Sequence, residues 1–499
     1  MRLRQKRPVE GTVAPPACGN AYSHMTNLVH FETLGCKLNQ AESEGAARTF
    51  VDAGFSVTME PVTAADAVRE DVLLCVVNTC TVTAKAEQKA RRIIRLLLSK
   101  FPACAVIVTG CYAQLNLEEI RAIDSRICVL GGQKKGALAD VPAIVLKELE
   151  ADADLHGENL AVILQNRFDS HGGEQVSQFR LSTDSFLNHS RASIKIQDGC
   201  NAVCTYCRIR LARGKSVSLA AQEVIDRVRA MEEAGQSEVV ITTVNIAQYR
   251  GAWQDGFVDF AGLLELLLLH TKKIGIRISS LYPEIVTERL AAIIENPRVC
   301  PHFHISIQSG SDRVLEKMKR PYRISVVYRA VELLRRAKKS PFLACDIIAG
   351  FPGETDEDFA LTMDMLRKTE MTFVHAFPFS ARPGTEAFSM RPMVPNSIAG
   401  KRIAELEAYS RESKAAYINS FVGAELPAVC ETVHRAKLSR DRIVVHAVTG
   451  NFLHCQLIFA PSDTNIPKAG SVVTVRIRRP LIDAEKTGES DTLAELVGQ

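Results

Sequence analysis

The chain is expected to be α/β: an amino-terminal doubly wound parallel α/β domain, a central open partial (β/α)6 barrel, and a small carboxy-terminal antiparallel β-barrel. Three observations lead there. In the first third, apolar runs of strand length alternate with helical patterns, the arrangement that builds parallel sheets. Between about 191 and 385 six more such runs alternate with helices, too few for a closed eight-unit barrel but enough for an open one. From about 423 to 480 short strands follow one another between turn residues. The expected order begins with an arm at 1–26, disordered or upstream of a start at Met25, then the amino-terminal α/β domain at 27–145 and a linker at 146–190. The partial barrel follows at 191–390, then a connecting helix at 391–422, the small barrel at 423–480 and a frayed acidic tail at 481–499.

In the amino-terminal domain, run 28–34 leads to Gly35-Cys36 and then to a helix from about Glu42 to Ala53. Run 72–77 leads to Asn78-Thr79-Cys80, and run 105–109 to Gly110-Cys111. Ligands of such sheets collect outside the carboxyl ends of the strands. Cys36, Cys80 and Cys111 therefore converge on one edge although 44 and 31 residues separate them. A lone buried cysteine is usually a core residue; three placed alike after strands point instead to a three-thiolate iron-sulfur cluster with one open iron. The helix after Cys80 carries Lys85, Lys89, Arg91, Arg92 and Arg95, with Ile93, Ile94, Leu97 and Leu98 on its apolar side. Such a face is ordinarily just solvated, though beside a cluster it could meet phosphates. The remaining cysteines, Cys18, Cys75, Cys104, Cys128, Cys300, Cys345, Cys430 and Cys455, share no such placement and read as packing or surface residues.

The central domain opens on Cys200-Asn201-Ala202-Val203-Cys204-Thr205-Tyr206-Cys207, three thiols spaced four and three residues apart after a strand-like run. Tetrahedral zinc wants a fourth ligand, and no nearby Cys or His stands at a customary spacing. A cubane held by three thiolates keeps one iron open for a substrate or cofactor. Polar punctuation at the other strand ends, Asn245, Ser279-Ser280, Gln308-Ser309-Gly310, 350–354 and 380–385, is placed to meet a ligand at the same rim. The carboxy-terminal barrel holds Arg435, Lys437, Arg440, Arg442, Lys468, Arg476, Arg478 and Arg479 against Glu425, Glu431, Asp441 and Asp463, a balance suited to an RNA backbone.

Composition sets the outer bounds. No apolar run reaches the length of a bilayer span, which excludes a membrane protein of the helical kind. Net charge of +4 over 499 residues is too small to signal nucleic acid by itself. Fourteen cysteines without an apolar secretory segment at the start suggest reduced thiols and a cytoplasmic protein.

Five stretches, at 33–39, 78–83, 109–114, 195–201 and 346–355, together resemble the radical S-adenosylmethionine methylthiotransferases. The resemblance spans roughly 27–480 in the family's order of cluster domain, radical barrel and RNA-binding TRAM barrel. The form Leu34-Gly35-Cys36-Lys37-Leu38-Asn39 is similar to the branch acting on N6-threonylcarbamoyladenosine at position 37 of tRNA. The resemblance implies two 4Fe-4S clusters, on Cys200, Cys204 and Cys207 and on Cys36, Cys80 and Cys111, together with S-adenosyl-L-methionine. It implies that a 5′-deoxyadenosyl radical takes hydrogen from adenine C2, and that sulfur from the auxiliary cluster adds there. Such chemistry belongs to cofactors that the protein aims. Cofactor contacts are implied at Tyr206, Thr243, Asn245, Ser279, Gln308, Asp346 and Gly350, and RNA contacts at Arg213, Arg382, Arg442, Arg476 and Arg478. The implied partners are the tRNA anticodon loop and a reductase such as flavodoxin or ferredoxin, with no membrane, and the implied state is a monomer.

The chain departs from the family's habit in three places. Arg208-Ile209-Arg210-Leu211 stands where Ile-Ile-Pro-Tyr is common, Thr243 replaces a usual glycine, and Tyr282 precedes Pro283 where a polar residue is frequent. Competing readings are methylthiolation of isopentenyladenosine tRNA, methylthiolation of a ribosomal-protein aspartate, and a non-enzymatic iron-sulfur RNA-binding protein.

Overall fold

The computed structural model describes residues 27–170, 177–182, 191–435, 442–486 and 488–497. The expected arm and the alternative start at Met25 lie outside them. The chain forms two compact units, Met1–Thr183 with Arg208–Lys215, and Asp184–Cys207 with Ser216–Gln499.

The first unit is built on β1 (Leu28–Thr33), β2 (Ser56–Thr58), β3 (Val72–Thr79), β4 (Ala105–Gly110) and β5 (Ile127–Gly131). They lie in the order β2-β1-β3-β4-β5, every pair parallel. Strands β3 and β4 are buried along their whole length, as expected of central parallel strands covered on both faces. The helix Ala84–Lys100 begins where the Thr83 hydroxyl accepts from the Ala86 amide at 3.1 Å, and it buries Ile94 and Leu97 beneath the sheet.

The linker expected at 146–190 is corrected. Much of it is helix, Val141–Ala151 and Gly157–Ser170, and the latter lies on β4 and β5. Leu160, Ala161, Leu164 and Phe168 form its buried stripe, while Gln165 accepts the Val129 amide at 2.8 Å. Flanking Asp152, Asp154 and polar residues hid that short stripe in the sequence.

In the second unit β6 (Ala192–Asp198), β7 (Val217–Ser218), β8 (Glu238–Thr243), a hairpin of β9 (Gly251–Trp253) and β10 (Gly256–Val258), and β11 (Gly275–Ile278) precede β12 (His302–Gln308), β13 (Phe342–Ala349) and β14 (Phe373–Pro378). Parallel pairs run β6-β8-β11 and β12-β13-β14, with bridges Ile276 to Val299 and Leu281 to Ile305 joining the two groups. Six parallel strands in sequence order with unjoined ends make the expected open partial barrel; β7 adds antiparallel to β6.

Helix Asn396–Asn419 leads into β15 (Glu425–Arg435), β16 (Ile443–Thr449), β17 (His454–Phe459), β18 (Val472–Pro480) and β19 (Thr492–Leu496). These close in the order β15-β16-β17-β19-β18. The frayed tail is therefore corrected: 492–496 is the closing strand, antiparallel to β18 and parallel to β17. Closure pairs edge groups that would otherwise stand open, and it is why an acidic terminus is ordered. The barrel is antiparallel apart from that one pairing.

Arg277 on β11 braces the small barrel within this unit, donating to the Gly450 and Thr449 carbonyls at 3.1 Å each and to both oxygens of Glu238 at 2.7 Å. Arg191 reaches Glu238 at 3.2 Å and Glu431 of β15 at 2.6 Å. Among the described residues no helix is long and apolar enough to cross a membrane.

Candidate functional site

In the first unit Cys80 and Cys111 directly follow β3 and β4, and Cys36 stands three residues after the end of β1. Glycine precedes two of them for a physical reason. Gly35 has φ +105° and Gly110 φ +100°, both in the left-handed region. A Cβ on Gly35 would lie 2.7 Å from the Cys80 Cβ, and one on Gly110 would lie 2.3 Å from the Thr79 carbonyl oxygen. The first and second cysteine loops thus approach as closely as backbone permits. Cys80 and Cys111 are buried, and Cys36 is exposed at the cap of helix Lys37–Asp52. Burial pushes the Cys80 thiol up to about 11, with smaller upward contributions from Cys36 and Cys111 and a downward one from Arg213. Burial likewise raises Cys111, while Arg213 and Lys135 pull it down.

A buried polar network underlies these loops. The Asn39 amide donates to the Leu34 and Thr79 carbonyls at 2.8 and 3.2 Å. Its side-chain oxygen accepts from Arg213 at 2.7 Å, and Glu42 takes Arg213 at 3.1 Å and Lys135 at 2.5 Å. Lys135 also donates to Asn78 at 2.9 Å. Arg213 sits on the short helix Ile209–Arg213, a segment of this unit, in which Arg208 pairs with Glu87 at 3.2 Å. Lys135 and Glu42 lie outside the stretches that carry the family resemblance, and Asn39 and Asn78 lie within them without an expected role. Nothing in the periodicity distinguishes Lys135 from a surface lysine.

In the second unit, β6 ends in a turn that aims the other three thiols. Asp198 accepts the Gly199 amide at 2.7 Å and takes Lys195 at 2.9 Å, while Gln197 donates to the Gly199 carbonyl at 2.7 Å. Gln197 also accepts the Val244 and Asn245 amides at 3.1 and 2.9 Å, tying the end of β8 to the cysteine loop. Asn245 then points its amide at the Cys200 sulfur, 3.6 Å away. Thr205 is held by the Met318 and Lys317 carbonyls, and Tyr206 packs against a core of Val314, Met318, Phe351 and Ala387.

Arg320 is the residue that pattern reading missed here. Buried, it donates to the Cys204 sulfur at 3.4 Å, to the Ser306 carbonyl at 3.1 Å and to the Tyr322 hydroxyl at 2.9 Å. Its guanidinium lies over the Tyr282 ring at 4.8 Å, so the tyrosine that departs from family habit backs the charge beside a cysteine. Only tertiary placement distinguishes Arg320 from the other basic residues around it.

Among the described residues no three Cys, His, Asp or Glu side chains gather closely enough to hold a single metal ion. A cubane spreads its thiolate ligands over separate irons, so loops of soft donors at wider spacing fit an iron-sulfur cluster better than zinc.

The chain matches the radical SAM superfamily over 194–366 and Uncharacterized protein family UPF0004 over 28–131. A protein of Treponema pallidum, threonylcarbamoyladenosine tRNA methylthiotransferase MtaB, is 44% identical over 492 residues, covering 90% of this chain and 98% of that protein. This chain belongs to the MtaB family. The MtaB of Thermotoga maritima is 35% identical over 428 residues, covering 85% and 92%. A tRNA-2-methylthio-N(6)-dimethylallyladenosine synthase of Acidithiobacillus ferrooxidans is 30% identical over 410 residues, covering 80% and 85%. As a member of the MtaB family, the chain is a radical SAM enzyme that uses S-adenosyl-L-methionine and 4Fe-4S clusters.

For an MtaB-family barrel, several expected cofactor residues lie at strand ends. Thr243 ends β8, Ser279 follows β11 with its amide on the Ile241 carbonyl at 3.1 Å, and Gln308 ends β12 with φ +74°. Asp346 lies within β13 and pairs with His304 at 2.9 Å. Gly350 gives its amide to Glu354 at 2.6 Å, and a Cβ there would meet Ala399 at 2.8 Å, so packing alone demands the glycine.

Of the arginines expected to meet RNA, Arg213 and Arg382 are buried, 5% and 4% exposed. Arg476 pairs with Glu425 at 2.6 Å and Glu495 at 3.0 Å, and Arg478 with Glu495 at 2.5 Å. Glu495 comes from β19, the strand taken for a tail, and it offsets charge that the sequence count left free. Arg442 is exposed.

Proposed function

We propose that this chain methylthiolates C2 of N6-threonylcarbamoyladenosine at position 37 in the anticodon loop of tRNA. The observation that carries the reading is the pair of cysteine triads on two separate scaffolds, in a chain that aligns nearly end to end with an MtaB. Cys200, Cys204 and Cys207 hold the cluster that binds S-adenosyl-L-methionine, and Cys36, Cys80 and Cys111 hold the auxiliary one. When bound, these groups supply the one-electron and sulfur chemistry that no side chain offers.

The protein's own share is positioning. Asn245 and Arg320 direct donors at the Cys200 and Cys204 sulfurs and fix the loop. Thr243, Ser279, Gln308 and Gly350 stand at the strand-end rim for the nucleoside cofactor, with Tyr206 in the cysteine loop and Asp346 deeper on β13. Arg442 contributes backbone contact from the small barrel, where bases of a loop can be splayed for reaction. The enzyme works in the cytoplasm as a monomer, fed electrons by a flavodoxin- or ferredoxin-type reductase.

Bulk tRNA from cells with and without the gene, digested and compared by mass spectrometry, tests this. Loss of the 2-methylthio-N6-threonylcarbamoyladenosine signal with accumulation of its precursor is expected. Loss of the isopentenyl derivative instead, or no change, refutes it.

A further inference from the structure

We propose that Lys135 and Arg213 are positioning residues for the auxiliary cluster, supplying a buried positive field beneath Cys80 and Cys111 that favours its reduced, more negative state. The inference rests on the reading that Cys36, Cys80 and Cys111 hold that cluster.

Both cations are 5% exposed, and between them lies Glu42, 2% exposed, bonded to each. Burying charge is costly unless it is paired and hydrogen-bonded, so such a group is retained where it does something for its neighbours. The neighbours are the cysteine loops. Asn39 accepts from Arg213 with its oxygen while its amide donates to Leu34 and Thr79, the residues just before Gly35-Cys36 and just before Cys80. Lys135 bonds Asn78, two residues before Cys80. Its turn is pressed against the third loop, since a Cβ on Gly132 would meet the Gly110 carbonyl oxygen at 2.8 Å.

Cluster potentials follow net charge and hydrogen bonding around the sulfurs. A field that favours the added electron also favours an anionic ligand at the open iron, where the proposed reaction keeps its sulfur. Charge then predicts opposite signs: removing a cation lowers the potential, and removing the carboxylate raises it.

The test uses the full chain with Cys200→Ala, Cys204→Ala and Cys207→Ala, leaving only the auxiliary site. After anaerobic reconstitution with iron and sulfide, redox titration is followed by electron paramagnetic resonance. Lys135→Met is expected to cut the reduced-to-oxidised ratio at fixed potential about tenfold, roughly 59 mV for one electron. Glu42→Gln is expected to shift it the other way, and Lys135→Arg to match the parent. Arg213→Gln against Arg213→Lys supplies the same comparison if Lys135→Met does not fold. Shifts of one sign in both Lys135→Met and Glu42→Gln, or none at parental iron and sulfide content, overturn the proposal. A parent that binds no iron overturns the cluster reading instead, and this proposal with it.

Discussion

Replacing Glu238 by Gln should uncouple the brace between the partial barrel and the small barrel. Glu238 is buried, receives Arg277 through two bonds of 2.7 Å, and takes Arg191 at 3.2 Å. Burial alone would raise its carboxyl. The charge and hydrogen bond of Arg277, then Arg191, overcome this and hold it at about 2 instead of 4.5. At about 1.4 kcal/mol per pH unit, that difference contributes ~3 kcal/mol at neutral pH. Stranding two buried arginines gives a similar figure, about 3–5 kcal/mol. For a unit of this size ~1 kcal/mol corresponds to about 2 °C, so Glu238→Gln should melt ~6 °C lower by scanning calorimetry at pH 7. The sign with pH is fixed. A depressed carboxyl stabilises above its unfolded value near 4.5 and loses that contribution as pH falls through about 2. The gap between wild type and Glu238→Gln, measured on the cluster-free chain, should therefore close between those values. A gap under about 1 °C at pH 7, or one that persists unchanged to pH 2, refutes the reasoning.

Arg320→Gln removes a charged donor from Cys204, worth ~1.5–3 kcal/mol. The rate of 5′-deoxyadenosine release under dithionite should fall about 10- to 100-fold, with Arg320→Lys recovering part. Gly35→Ala must place a Cβ 2.7 Å from that of Cys80 at φ +105°, so reconstituted protein should hold roughly half the iron, the Cys200 cluster remaining. Arg442→Glu should weaken tRNA binding and flatten its salt dependence, whereas Arg476→Gln, already neutralised by Glu425 and Glu495, should change both much less. Equal effects from those two substitutions, in a filter-binding titration at several salt concentrations, would contradict the pairing.

Local signals determined the elements and the candidate ligands. Runs at 28–34, 72–77 and 105–109 became β1, β3 and β4 because buried parallel strands are apolar throughout, and thiols placed after them must meet at one edge. The compact spacing of Cys200, Cys204 and Cys207 needs only one loop to make a site. What surrounds the thiols was decided by tertiary structure. Arg213 reads as a surface cation but is buried with Lys135 and Glu42, residues distant in sequence that pair only once the unit is folded. The same holds for Arg320 beside Cys204, for the helix Gly157–Ser170 on its sheet, and for β19, a five-residue segment after an acidic stretch that becomes a strand because two barrel edges need closing. Periodicity records which face of an element is apolar; which charge a buried cation meets depends on packing between elements, and no local pattern encodes that.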